Sequence, residues 1–228
     1  MKKEVTIAAS ILTANFLSLK DDLLNLQKAG INWIHFDVMD HHFVDNLSFG
    51  AKILSDVCRF NANINVDCHM MVKITTKKVY DYLKPFIILP QVKTITLHYE
   101  ALTPEHLKQF LEWKNPGFKK GIAINPNTPI TKIYHLLEHL DTILIMSVPP
   151  GAGGQIFLNS TIEKIKNLVK HIDNSFPHLT IAIDGGINNL TASDCISAGA
   201  NYLVAGSYLL NSGNSIKNQV AMLTNYEK

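Results

Sequence analysis

His35 and Asp37 stand two residues apart in the run His35-Phe36-Asp37-Val38-Met39-Asp40, which closes an apolar stretch beginning near Trp33. Successive side chains in a β-strand alternate faces, so the imidazole and the carboxylate share one side while Phe36 and Val38 pack on the other. Charged groups are rarely buried without a partner or a metal, so the pair points to chemistry rather than to packing.

Comparable residues recur at the ends of other strand-like runs: Ser10, His69, His98, Asn125, Met146, Asp184 with Gly185-Gly186, and Gly206-Ser207. A packed core does not concentrate polar groups in this way. His35, Asp37, His69 and Asp184 form one set of nitrogen and oxygen donors suited to a divalent cation. A lone strand histidine is more often hydrogen-bonded structure than ligand, and His98 is read so; convergence of four groups reverses that reading for the set. Asp67 shares a face with His69, either as a partner behind a ligand or as a solvated acid at a strand start.

Gly185-Gly186 and Gly206-Ser207 offer unobstructed backbone N–H groups of the kind that hold phosphate, which implies an anionic substrate. The segment Ser147-Val148-Pro149-Pro150-Gly151-Ala152-Gly153-Gly154-Gln155-Ile156-Phe157 is long and has no regular period. It reads as a lid whose glycines, Gly151, Gly153 and Gly154, add further donors. Met39, Met71 and Met146 stand at or just past strand ends and suggest a soft apolar lining that shields a reactive carbanion from water.

These groups converge only if the strands lie parallel and side by side. Eight short β-rich runs alternate with helical segments: Thr6–Ala9, Trp33–Asp37, Asn65–His69, Thr94–His98, Gly121–Ile124, Thr142–Met146, Thr180–Ile183 and Tyr202–Ala205. Leu19, Leu23, Leu26 and Ala29 mark one helical face, Leu107, Phe110 and Leu111 a second, and Ile162, Ile165, Val169 and Ile172 a third. Ser18, Thr103-Pro104, Ser160 and Thr191 are the expected helix starts. Eight such units in this length predict an α/β fold, a (β/α)8 TIM barrel with its active site at the carboxyl ends of the strands; an open doubly wound sheet is the alternative. No linker or composition shift divides the chain, so residues 1–228 are expected to form one catalytic domain.

The 228 residues are 46% hydrophobic and 18% charged with a formal net charge of +2, so composition supplies no case for nucleic-acid or membrane partners. No stretch is long enough to span a bilayer and the start does not read as a signal peptide, which sets the cytoplasm as the expected compartment. Cys58, Cys68 and Cys195 are widely spaced and read as small core residues rather than disulfides or zinc ligands.

Over nearly its whole length the sequence resembles the ribulose-phosphate 3-epimerase family. The resemblance is carried by Ser10-Ile11-Leu12, His35-Phe36-Asp37-Val38-Met39-Asp40, Asp67-Cys68-His69-Met70-Met71-Val72, Pro150-Gly151-Ala152-Gly153-Gly154-Gln155, Asp184-Gly185-Gly186-Ile187 and Ala205-Gly206-Ser207, in matching order and spacing. It implies an isomerase of the pentose phosphate pathway that interconverts D-ribulose 5-phosphate and D-xylulose 5-phosphate. His35, Asp37, His69 and Asp184 would hold one divalent metal ion per subunit (Zn, Fe, Mn or Co), and Asp37 and Asp184 would be the acid/base pair. Ser10 would touch the sugar phosphate, with the glycine loops and Ser207 on its phosphate; from their strand-end positions His69 and the three methionines are expected to face the substrate too. A homo-oligomer is implied as well. His41 stands where the family usually has Gly, Asp45 where it has Pro, Ala152 where an aromatic is common and Asn15 where Asp is common. These departures bear on lid packing and on the loop after the second strand. Rival readings are an epimerase of a hexulose 6-phosphate and a non-catalytic sugar-phosphate binding barrel.

Overall fold

The computed structural model describes residues 4–114, 116–173 and 175–224. Its strands are β1 (Thr6–Ser10), β2 (Trp33–Met39), β3 (Asn65–Met71), β4 (Val92–His98), β5 (Lys119–Ile124), β6 (Thr142–Met146), β7 (Thr180–Asp184) and β8 (Tyr202–Ala205). They pair in sequence order, all parallel, and β8 closes onto β1. The fold is a closed (β/α)8 barrel, and the open-sheet alternative is excluded.

Alternation along each strand builds two packed zones. Outward residues such as Ile34, Phe36 and Val38 of β2 and Ile143 and Ile145 of β6 pack under the helices. Inward residues Ala8, Ala123, Leu144, Ala182, Tyr202 and Val204 fill the barrel axis with Trp33 against them. At the carboxyl end of β2 and β3, Met39 and Met71 pack together with Val44. Between these apolar layers the inward positions of β2 and β3 are His35, Asp37, Asp67 and His69, all buried.

Helices α1 (Leu19–Lys28), α2 (Ala51–Phe60), α3 (Val79–Ile87), α4 (Pro104–Glu112), α5 (Ser160–Ile172), α6 (Asn189–Ala198), α7 (Ser207–Leu210) and α8 (Ile216–Thr224) cover the barrel. Between β5 and β6 the cover is a 3-10 run, Ile130–His139, in which Ile130, Ile133 and Leu136 are buried. Their three-residue spacing matches the three-residue turn of that helix.

Two expected helix starts are corrected. Ser160 is the first helical residue of α5, behind Asn159. The cap of α6 is Asn188, whose side chain accepts from the N–H groups of Leu190 and Thr191, while Thr191 Oγ1 accepts from the Asn188 N–H at 2.9 Å. Asparagine is among the strongest capping residues, and threonine three positions on takes the reciprocal bond. Thr103 does cap α4, accepting from the His106 N–H at 3.1 Å with Pro104 in the first turn. Ser18 precedes α1 without a side-chain capping bond. The three cysteines are free and buried. Among the described residues no helix is long and apolar enough to cross a membrane.

Candidate active site

The register of β2 on β3 sets Asp37 opposite His69 and His35 opposite Asp67. Ser10 lies beside His35 across β1 and β2, and β7 delivers Asp184 from the far wall, next to Met146. Four donor atoms thereby meet. His35 Nε2 lies 3.1 Å from His69 Nδ1, 3.3 Å from Asp37 Oδ1 and 3.6 Å from Asp184 Oδ2. His69 Nδ1 lies 3.1 Å from Asp37 Oδ1 and 3.4 Å from Asp184 Oδ2. Donors about 2.0–2.1 Å from one tetrahedral centre stand roughly 3.4 Å apart, so the spacing fits a first-row divalent cation. The chemistry fits as well, since two imidazoles and two carboxylates are ligands that zinc and its neighbours accept.

Electrostatics describe a site built around balanced charge. Burial pushes the Asp37 carboxyl up, but His35 and His69 outweigh it and hold the group below its ordinary value. Asp184 is lowered too, burial again being overcome by its bonds to both imidazoles. Burial works against protonation of His35, yet Asp37, Asp67 and Asp184 raise it well above the usual imidazole value. His69 is likewise raised, by Asp184 and Asp37 against its burial. Each carboxyl is thus lowered by the two imidazoles, and the pair draws positive charge to the site.

Each imidazole is braced from behind. Asp67 Oδ2 lies 2.9 Å from His35 Nδ1, so Asp67 is a buried partner behind a candidate ligand and not a solvated acid. His69 Nε2 lies 2.8 Å from His98 Nε2, and His98 Nδ1 lies 3.4 Å from Glu100 Oε2. Burial pushes His98 down to about 4, which keeps it neutral. His98 therefore stands outside the donor cluster. Ser10 Oγ donates to Asp37 Oδ2 at 2.7 Å, and Ser48 Oγ donates to the Asp37 carbonyl while accepting from the Met39 N–H at 2.9 Å. Asp40 faces away and pins the loop after β2, accepting from the backbone N–H groups of Lys73, His42 and Phe43 at 2.7, 2.9 and 3.1 Å.

Above the cluster a cleft encloses about 520 Å³, counting its open mouth. Its walls contain Asp37 and Asp184, Ser10, the methionines Met39, Met71 and Met146, and the glycines Gly151, Gly153, Gly154, Gly185, Gly186 and Gly206 with Ser207. His69 is fully buried behind the carboxylates and is not part of that wall, so any contact it makes with substrate passes through its neighbours. Gly186 has φ +61, and a Cβ there would lie 2.6 Å from the Phe157 backbone nitrogen, so a side chain is excluded by conformation and by space. The long loop after β6 is tied down at several points. Asn46 Nδ2 donates to the Gly151 carbonyl at 3.0 Å, and Gln155 Nε2 donates to the carbonyls of Pro149 and Ala152 at 2.7 and 2.8 Å.

His41 occupies the left-handed region at φ 58, the geometry that glycine adopts without cost. Its ring compensates, with Nδ1 2.9 Å from the Asp45 carbonyl. Asn15 accepts from the Leu17 N–H at 3.1 Å and so shapes the turn before α1. Several contributors went unread in the sequence. Ser48 follows β2 at a distance that no periodicity specifies, and Ser147 Oγ donates to the carbonyls of Asp184 and Gly185 at 2.8 and 2.5 Å. Glu100 was legible only through its two-residue spacing from His98.

The model of the ribulose-phosphate 3 epimerase family matches residues 6–210. The chain is 41% identical to ribulose-phosphate 3-epimerase of Buchnera aphidicola subsp. Acyrthosiphon pisum, covering 91% of this chain and 89% of that one. It is 36% identical to ribulose-phosphate 3-epimerase of Escherichia coli strain K12, covering 90% and 88%. Among solved structures, KGPDC from Streptococcus mutans aligns with a TM-score of 0.71 at 8% identity, covering 98% of this chain and 97% of the other. At that identity the likeness concerns the fold alone.

Proposed function

The chain belongs to the ribulose-phosphate 3-epimerase family, and from that premise we propose that it interconverts D-ribulose 5-phosphate and D-xylulose 5-phosphate by moving a proton at C3, within the pentose phosphate pathway. One observation carries the reading: Asp37 Oδ1 and Asp184 Oδ2, from opposite walls, each lie within 3.1–3.6 Å of the same two ring nitrogens at the base of the cleft.

Inverting C3 requires a base on one face of the carbon and an acid on the other. Asp37 and Asp184 supply them: one, as carboxylate, takes the C3 proton, and the other, protonated, returns its own proton to the opposite face of the enediolate. Roles exchange with the direction of reaction. Asp37 Oδ2, outside the donor cluster and held by Ser10 Oγ, is the oxygen placed to carry its proton. His35 and His69 fix both carboxylates so that their second oxygens stay aimed at substrate.

A divalent cation, Zn²⁺, Fe²⁺, Mn²⁺ or Co²⁺ at one per subunit, held by His35, Asp37, His69 and Asp184, would supply Lewis-acid stabilisation of the charge that develops on the substrate oxygens. Met39, Met71 and Met146 exclude water around the carbanion while offering no competing proton. Gly185, Gly186, Gly206 and Ser207 receive the phosphate, and Gly151, Gly153 and Gly154 close over it. Residues 1–228 act as one catalytic barrel, in a homo-oligomer of the cytoplasm. Parallel turnover of ribulose 5-phosphate and a six-carbon ketose phosphate, with metal analysis of the same sample, tests the reading. Preference for the five-carbon substrate supports it; a faster six-carbon reaction, or binding of both without turnover, contradicts it.

A further inference from the structure

Behind the proposed metal ligand His69 runs a chain of hydrogen bonds that ends in a carboxylate unused by the chemistry above. His69 Nε2 and His98 Nε2 are 2.8 Å apart, and His98 Nδ1 is 3.4 Å from Glu100 Oε2. The His69 and His98 ring centroids lie 4.9 Å apart with planes 25° from parallel, so the rings meet edge to edge, and Phe43 packs at 4.7 Å from the His98 ring. His98 is fully buried. Glu100 is itself fixed, because its Oε1 accepts from the Asn125 N–H at 2.8 Å and from the Thr128 hydroxyl. That leaves Oε2 alone to face His98.

We propose that Glu100 and His98 are positioning residues that set the tautomer of His69 and thereby its affinity for the metal, an inference that rests on the metal-dependent reading above. A carboxylate only accepts, so the hydrogen between Glu100 and His98 belongs to His98 Nδ1. A neutral His98 then carries a lone pair on Nε2. Two ring nitrogens 2.8 Å apart share one hydrogen, which must therefore sit on His69 Nε2. That makes His69 Nδ1, on the side of Asp37, Asp184 and His35, the nitrogen whose lone pair a bound metal would take up. The relay fixes a direction of hydrogen bonding over two rings and acts on the ligand from a distance, with no contact to substrate.

The substitution Glu100→Gln tests this with little change of shape. The Asn125 and Thr128 donors hold Oε1 in place, so the amide nitrogen faces His98 Nδ1 and donates where the carboxylate accepted. His98 must then move its hydrogen to Nε2, against the one on His69. We expect Zn²⁺ affinity, read by competition with a chromogenic chelator, to fall about 10- to 100-fold. In Zn²⁺-loaded wild-type protein, histidine ¹⁵N–¹H correlation spectra should show His69 protonated at Nε2, and Glu100→Gln should diminish that form. His98→Gln, whose amide oxygen can accept from His69, should retain more affinity than His98→Leu. An unaltered His69 tautomer with Zn²⁺ affinity equal to wild type in Glu100→Gln would overturn the relay while leaving the metal site intact. Failure of the wild-type protein to bind Zn²⁺ or any other divalent metal would overturn the metal reading, and the relay with it. Thermal melts of each variant separate a lost fold from a lost ligand.

Discussion

Asp37 Oδ1 and His69 Nδ1 lie 3.1 Å apart although thirty-two residues of chain separate them. The parallel register of β2 on β3 places the two residues directly opposite each other, so the geometry of these proposed ligands follows from strand pairing rather than from loop conformation. Sites built on strands hold their geometry better than sites built on loops. The same register pairs His35 with Asp67, which supplies the brace one layer below.

Replacing either acid removes one of the two proposed proton carriers. Asp37→Asn and Asp184→Asn should each lower kcat by about 10²-fold or more, in line with general acid/base contributions. Steady-state assays after metal reconstitution give the measurement. Retention of near-wild-type kcat by either variant would contradict the two-acid scheme.

Chelation followed by dialysis should abolish turnover, and Zn²⁺, Fe²⁺, Mn²⁺ or Co²⁺ should restore it at one equivalent per chain. Elemental analysis alongside the assay decides the matter. Full activity in protein shown to be free of metal would exclude the cation from the reaction.

Gly186→Ala should be harmful even though it adds one methyl group. The new Cβ would sit 2.6 Å from the Phe157 nitrogen and 2.9 Å from its Cα, at a residue with φ +61. A shift of the lid base and a rise in KM for the phosphorylated substrate are expected, with stability lower by about 1–3 kcal/mol for the strained backbone. An unchanged KM would remove Gly186 from the proposed phosphate site.

Asp40 gives a pH dependence with a definite sign. Burial raises its carboxyl, but the backbone N–H groups of Lys73, Phe43 and His42 outweigh burial and hold it below the ordinary value. A carboxyl lowered by folding contributes stability above its unfolded value, about 3.9, and loses it as pH falls through the folded value. Asp40→Asn should therefore cost about 1–2 kcal/mol at pH 7, because the amide nitrogen cannot accept from one of the three donors. Urea titrations should show the gap between wild type and variant narrowing below pH 4. A gap independent of pH would mean that the charge has no part in it.

Much of this was legible in the sequence because the strands carry it. His35, Asp37, His69 and Asp184 were found by alternation and strand-end position, and a closed barrel brings strand ends together wherever they fall in the chain. Thr142–Met146 and Tyr202–Ala205 matched the strands to the residue, since Asp141 and Ser147 bound the first run and Asn201 and Gly206 the second. The rest depended on contacts that leave no periodic trace. Glu100 sits in a 3-10 turn after β4 and reaches His98 only through the fold of that turn. Ser160 and Thr191 looked like caps because their residue type is right, but the true caps lie before them in asparagines. The left-handed backbone at His41 was signalled only by the glycine that the family usually has there, since no spacing in this sequence marks it.

The most direct test of the central claim follows ribulose 5-phosphate by proton NMR in D₂O with metal-loaded protein. Two-acid epimerisation predicts loss of the C3 proton signal with appearance of xylulose 5-phosphate deuterated at C3, and formation of that product about 10²-fold or more slowly with Asp37→Asn or Asp184→Asn. Persistence of the C3 proton over many protein equivalents, with substrate bound, would contradict it and leave the barrel a sugar-phosphate binding protein.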